Sequence, residues 1–158
     1  MNLEDLKKEI PFKWRVQSAN QYGASCVAYI DARDVQDLLD EVCGAAFWQC
    51  KYSEHKGNLF CSIGIDVDKD GTCWTWKEDC GTESNVEKQK GEASDAFKRA
   101  AVMWGVGRFL YSKTIVKLPV KEKGKDYKGN PKYIPYSESK QGFVYGDGIT
   151  KWCNQLSK

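Results

Sequence analysis

The stretch Leu59-Phe-Cys-Ser-Ile-Gly-Ile-Asp-Val-Asp-Lys-Asp-Gly-Thr-Cys-Trp-Thr-Trp76 decides the fold. Leu59, Cys61, Ile63, Ile65 and Val67 alternate with Phe60, Ser62, Gly64, Asp66 and Asp68, the period of a half-buried strand. Asp70-Gly71 is a hairpin signal. With those two residues as the turn, Val67 faces Trp74 and Ile65 faces Trp76, so the apolar residues of both strands are expected on one face.

Upstream, Phe47 to Tyr52 reads as a strand. Asp31 to Gly44 reads as a helix, because Val35, Leu38, Leu39 and Val42 recur at i, i+3, i+4 and i+7 and Gly44 is placed to stop it. Ala24 to Ile30 is a β-leaning run, and residues 2–9 form a short amphipathic helix that Pro11 ends. Downstream, residues 79–84 are a loop with Ser84 as candidate N-cap, and a long helix runs to Gly105. Val86, Lys90, Ala93, Phe97, Ala100, Ala101 and Trp104 share one stripe of it. Lys88, Asp95 and Arg99 project opposite, and Lys98 lies on the flank. Tyr111 to Val120 is a candidate last strand. Residues 121–148, rich in Lys, Gly, Tyr and Pro, are expected as a loop or partly disordered arm. Ile149, Trp152, Cys153 and Leu156 suggest a terminal amphipathic helix. The expected class is α+β: a small antiparallel sheet in a β-β-β-α core, one long helix packed on it and a flanking helix. One domain is expected, with the core over 1–120, the arm over 121–148 and the last helix over 149–158; no repeat is visible.

The chain has 158 residues, 41% hydrophobic, 29% charged and 13% aromatic, a globular profile. No apolar run approaches the roughly 20 residues of a membrane span. The N-terminus has no signal-peptide core, so a soluble cytoplasmic protein is expected. Seven cysteines without CxxC spacing, and His55 as the single histidine, argue for reduced thiols and no structural metal. The net charge of +2 hides an asymmetry. Residues 1–80 hold 9 Lys/Arg against 14 Asp/Glu, whereas residues 81–158 hold 15 against 8. A basic half suits a polyanion, and equally an ordinary Lys-rich surface.

Enzyme signatures are sparse. There is no GxxxxGK[ST] phosphate cradle, Gly105-Val-Gly107 lacks the third glycine of a dinucleotide fingerprint, and His55 sits in a loop-like context. The alternative of another class is a metal-dependent nuclease in which Asp66, Asp68 and Glu78 hold Mg²⁺ beside Lys77. Against it, Asp66 and Asp68 fall on the expected solvent face of the hairpin. Lys88, Lys90, Lys98 and Arg99 share one helix and Arg108 follows it, a set able to neutralise phosphates. Glu87, Glu92 and Asp95 are interleaved and able to pair with them locally, which is the ordinary reading of such a helix. The tryptophans default to core packing. Tyr127, Tyr133, Tyr136 and Tyr145 in the Lys-rich arm suit single strands or a subunit contact.

The stretch Lys90-Gly-Glu-Ala-Ser-Asp-Ala-Phe-Lys-Arg-Ala-Ala-Val-Met-Trp-Gly-Val-Gly-Arg-Phe-Leu-Tyr111 resembles the signature helix of the Rad52/Rad22 single-strand annealing proteins, in the short form carried by bacteriophages. Tyr29-Ile-Asp-Ala-Arg-Asp-Val35, Asp40-Glu-Val-Cys-Gly44 with Trp48, and Asp68-Lys-Asp-Gly71 followed by Lys77-Glu-Asp79 match in order, so the resemblance spans about residues 22–115. It implies a non-enzymatic protein that assembles into rings or helical filaments. Such proteins lay single-stranded DNA along a basic groove and anneal it to a complement with no cofactor. The groove contacts carry over to Arg33, Lys98 and Arg99, and a second, outer contact to Lys69. A further basic position of the family is Val102 here, for which Lys88, Lys90 or Arg108 are candidate substitutes. Single-stranded DNA and further copies of the chain are the implied partners, and residues 112–158, which match weakly, are candidates to brace the next subunit, contact DNA or meet a single-strand-binding protein.

Overall fold

The computed structural model describes residues 1–82 and 88–158. In chain order these form β1 (Lys13–Asn20), β2 (Gly23–Tyr29), α1 (Ala32–Cys43), β3 (Trp48–His55), β4 (Asn58–Asp66), β5 (Trp74–Cys80), α2 (Lys88–Met103), β6 (Val116–Leu118), β7 (Val120–Lys125), β8 (Pro131–Ser137), β9 (Gly142–Phe143) and α3 (Asp147–Leu156). Short 3-10 turns occupy Leu3–Lys7 and Arg108–Ser112. The chain divides into two compact units, one of Met1–Ile10 with Ile30–Phe109 and one of Pro11–Tyr29 with Leu110–Lys158. No helix of the described residues is long and apolar enough to cross a membrane.

The first unit holds the expected β-β-β-α core. Strands β3, β4 and β5 form an antiparallel sheet with β4 in the middle, and α2 packs on it. Helix α1 starts after an extended Asp31, whose N–H is accepted by the Asp34 carboxylate at 2.8 Å. It buries Val35, Leu38, Leu39 and Cys43, and ends at Gly44 with φ +91°. Helix α2 buries Phe97 together with Ala96, Ala100 and Ala101, three small residues that let it approach the sheet, and Trp104 follows at its end. Gly81 extends that close approach to the exit of β5. A Cβ there would fall 2.5 Å from the Glu92 carbonyl oxygen. Trp48 joins β3 to both helices, with its indole N–H on Asp40 Oδ1 at 2.6 Å and its ring 6.1 Å from that of Phe97. Ser84, Val86 and Glu87 lie outside the described residues.

The hairpin register differs from expectation by one residue. Ile65 pairs with Thr75, Gly64 with Trp76 and Asp66 with Trp74. Asp70-Gly71 is not a two-residue turn, because a longer loop, residues 67–73, connects the strands. The Asp66 carboxylate organises that loop, its Oδ2 accepting the Gly71 N–H at 2.6 Å. Lys69 and Gly71 take left-handed φ values of +59° and +80°. Two expectations change with the slip. Asp66 is buried at 1% exposure rather than on a solvent face, and Trp74 and Trp76 leave the face of Ile63 and Ile65 for the opposite one.

In the second unit, β1-β2-β6 and β7-β8-β9 form two three-stranded antiparallel sheets. The core is Trp14, Cys26, Val116, Leu118, Ile149 and Cys153. Trp14 ties α3 down twice, with its backbone N–H on Thr150 Oγ1 at 3.0 Å and its indole N–H on Asn154 Oδ1 at 2.9 Å. The amphipathic reading of α3 holds. The reading of 121–148 as a loop or arm does not, since β7, β8 and β9 lie within or across it. Its turn is organised by Asp126, which accepts the N–H groups of Lys128 and Asn130 at 2.8 and 2.9 Å. The proposed strand over 111–120 is broken up: a 3-10 turn ends at Ser112, β6 covers three residues, and Pro119 separates it from β7.

All seven cysteines are free thiols. Burial, and then the adjacent Cys26, push the Cys153 thiol up to about 12 from an ordinary value of 9.0.

Two outcomes are expected. The amides of Tyr136 and Val144 donate to the carbonyls of Pro119 and Pro135, both at 2.9 Å, and should exchange with solvent far more slowly than an unstructured segment. Exchange at unprotected rates would restore the arm. Above about pH 9 the unfolded chain loses a proton that native Cys153 keeps to about pH 12, so stability falls as pH rises through that window. The fall, followed by urea denaturation, should be shallower in Cys153→Ala.

Candidate nucleic-acid interface

The acids of α2 are spoken for. Glu92 Oε1 accepts the Leu59 backbone N–H at 3.2 Å. Asp95 Oδ2 accepts the Thr82 N–H and hydroxyl at 2.9 and 3.1 Å. Both carboxylates therefore fasten the helix to the start of β4 and the segment after β5, and the local pairing with Lys98 expected of an ordinary solvated helix is not made by them. Lys98 is half-buried and Arg99 exposed, on successive positions of the same turn. Arg99 Nη2 stands 3.6 Å from Asp79 Oδ2 of β5, an exposed pair worth little in stability.

At the other end of α2 two cations converge on one carbonyl. Lys77 Nζ donates to Met103 O at 3.1 Å and lies 4.5 Å from the Trp104 ring centroid. Arg108 donates from Nε to Val102 O at 2.9 Å and from Nη2 to Met103 O at 3.1 Å. These bonds satisfy orphan carbonyls and place positive charge at the negative end of the helix dipole. Val102 is half-buried. Lys88 and Lys90 fall in the first turn of α2, outside the described side chains.

Arg33 and Lys69 sit at opposite ends of α1. Arg33 is exposed in the first turn. Lys69 curls back from the hairpin so that its Nζ lies 5.1 Å from the Phe47 ring centroid and 3.9 Å from where a Cβ on Gly44 would be. The helix rise between Arg33 and Gly44 is roughly 16 Å. The two cations are thus separate contacts on one unit rather than one patch. Beside Lys69, hydrogen bonds from the Thr72 hydroxyl and N–H hold the Asp70 carboxyl below its usual range.

The three carboxylates of the nuclease alternative are not brought together. Asp66 lies across from Trp74 and Glu78 across from Ser62, whose hydroxyl it accepts at 3.0 Å. Four residues of β4, roughly 13 Å, separate those rungs. Asp68 is exposed in the connecting loop. Among the described residues no group of three or more His, Cys, Asp or Glu side chains is arranged to hold a metal ion.

Sequence reading missed the partners that set this charge layout: Asp79 for Arg99, Lys77 at the helix end, and Lys51, whose Nζ lies 4.2 Å from the Trp76 ring centroid. Gly64 was the available signal for the last of these. A glycine inside a strand marks a close approach, and a Cβ on Gly64 would fall 2.8 Å from the Trp76 ring.

The model of the Rad52/22 family double-strand break repair protein matches residues 1–129. Two curated relatives are named single-stranded DNA-binding protein DdrA. The one from Deinococcus deserti is 35% identical over 122 residues, covering 70% of this chain and 59% of the relative. The one from Deinococcus radiodurans is 34% identical over 122 residues, covering 70% and 57%. The chain therefore spans less than two thirds of the length of these relatives. No solved structure matches it.

Arg108→Ala should lower unfolding free energy by about 1 kcal/mol through the lost helix-end bonds. An unchanged urea midpoint would show that Arg108 does not fasten the helix.

Proposed function

Because this chain belongs to the Rad52/22 family of double-strand break repair proteins, we propose that it binds single-stranded DNA and anneals complementary strands in recombination, through phosphate contacts and without a nucleotide cofactor or metal. The observation that carries the reading is the Lys98–Arg99 step on a helix whose described acids, Glu92 and Asp95, are engaged elsewhere. The names of the two DdrA relatives support the single-strand preference. Arg33, Lys98 and Arg99 form the main groove and Lys69 a second contact. Lys88, Lys90 and Arg108 flank them. Cations on rigid helices hold a backbone without choosing a sequence and leave base edges open for pairing. A homo-oligomer, as a ring or helical filament, extends the groove from copy to copy, and many weak contacts then add through multivalency. A single-strand-binding protein is a further partner, and the host cytoplasm the place of action for a phage-borne member.

A second reading, coating and protection of single strands and DNA ends without annealing, is favoured by the relatives' names, which state binding alone. One assay separates these: complementary labelled oligonucleotides in EDTA without ATP, with an Arg33→Ala/Lys98→Ala/Arg99→Ala variant beside the wild type. Acceleration that the variant loses is the expected result. Tight binding without acceleration establishes the coat reading, and strand degradation once Mg²⁺ is restored establishes a nuclease. Affinity should fall steeply with salt, and Lys98→Ala with Arg99→Ala should reduce the salt slope by roughly 2. A flat salt response removes the groove.

A further inference from the structure

The one-residue slip of the β4–β5 register leaves a feature that the basic contacts do not use. Helix α2 covers the sheet face of Ile63, Lys77 and Asp79, as its bonds from Trp104 to Ile63 O, from Lys77 to Met103 O and from Arg99 to Asp79 show. The opposite face carries Trp74 and Trp76 from β5, Phe60, Ser62 and Gly64 from β4, and Lys51 across from Ser62 on β3. Trp76 lies flat on the bare backbone of Gly64, with three ring atoms 2.8 Å from the position a Cβ would take. The Trp74 ring is 6.3 Å away and inclined by only 32°. Lys51 places its ammonium 4.2 Å from the Trp76 ring centroid. Both indoles are half-buried.

We propose that this face is a stacking platform for the unpaired bases of single-stranded DNA, with Trp76 and Trp74 as the surface and Lys51 swinging off the ring to an adjacent phosphate. The proposal rests on the single-strand binding put forward above and gives it a source of selectivity. Phosphate contacts alone do not tell a single strand from a duplex, since both present a charged backbone. A flat indole does, because only an unpaired, unstacked base has a face to offer. Every base has such a face, so the platform is sequence-tolerant. The cation over the ring supplies the charge complement to the phosphate that accompanies each base.

A second copy of the chain is the weaker occupant. Phe60 and two partly buried indoles offer well under the roughly 800 Å² per partner of a stable interface, and their neighbours Lys51, Ser62 and Glu78 are polar. Of the acids on this face, Glu78 accepts the Ser62 hydroxyl, and Asp66, across from Trp74, is buried and accepts the Gly71 N–H.

The test titrates the full chain with three ligands of equal length, oligo-dT, an abasic phosphodiester and a duplex, followed by tryptophan emission and by anisotropy of labelled DNA. Oligo-dT should quench the emission and bind at least tenfold more tightly than the abasic strand. A Trp74→Leu/Trp76→Leu variant keeps apolar bulk but no aromatic face. It should bind the two strands equally, with the salt dependence from Lys98 and Arg99 intact. Should that variant not fold, the wild-type comparison of dT with the abasic strand decides alone. Equal wild-type binding of both strands overturns the platform and leaves single-strand binding standing. No binding of either strand overturns both. Emission that follows protein concentration and ignores dT overturns the platform in favour of a subunit contact.

Discussion

A buried hydrogen bond fixes helix α2 to the sheet: the Trp104 indole N–H donates to the carbonyl of Ile63 at 3.0 Å, in the middle of the central strand. That carbonyl already faces a neighbouring strand, and its second lone pair receives the indole. Once Trp104 is pinned inward, the helical repeat leaves little choice for the rest. Arg99, five residues back, stands about 140° around the axis, and Lys98 about 120° around on the other side. Both cations are turned outward by the same bond that holds the aromatic ring inward. Ala96, Ala100 and Ala101 let the helix come near enough for the bond to form. Glu92 and Asp95 act as side stays that keep it from rolling.

How much of this was legible depends on how local the signal was. Helix α1 was read to within a residue at each end, because the apolar spacing, Asp31 before it and Gly44 after it all act within one helix length. The β-β-β-α order was equally clear. The hairpin register was not. Alternation fixes which residues share a face of one strand, but the pairing depends on the loop, and this loop is organised by Asp66 reaching five residues ahead to Gly71. A side chain that looks like a solvent-facing polar residue in the alternation is in fact a buried turn acceptor. The same slip carried both tryptophans to the unexpected face.

The strands β7 and β8 were hidden for a different reason. Nearly all of β7 is exposed, so Lys, Glu and Gly occupy it and no apolar alternation marks it. It is held by backbone pairing to β8, by Lys121 lying 3.8 Å from the Tyr136 ring centroid and 3.1 Å from Glu138, and by a turn gathered on Asp126. These are pairwise contacts between residues distant in sequence, invisible to a window of ten. Candidate cations on helices were legible as types and positions. Their partners across the fold, Asp79 for Arg99 and the α2 carbonyls for Arg108, were not.

Gly64 and Trp76 also constrain how this chain can change over time. A ring lying flat on bare backbone excludes any side chain beneath it, and a smaller residue above would leave that backbone uncovered. Neither position can drift alone. A Gly64 replacement demands a smaller partner at 76, and a lost indole removes the reason for glycine at 64, where its backbone entropy is a cost in a strand. Across related sequences the two positions should therefore covary as a pair, as an inheritance unit of two residues set twelve apart in the chain.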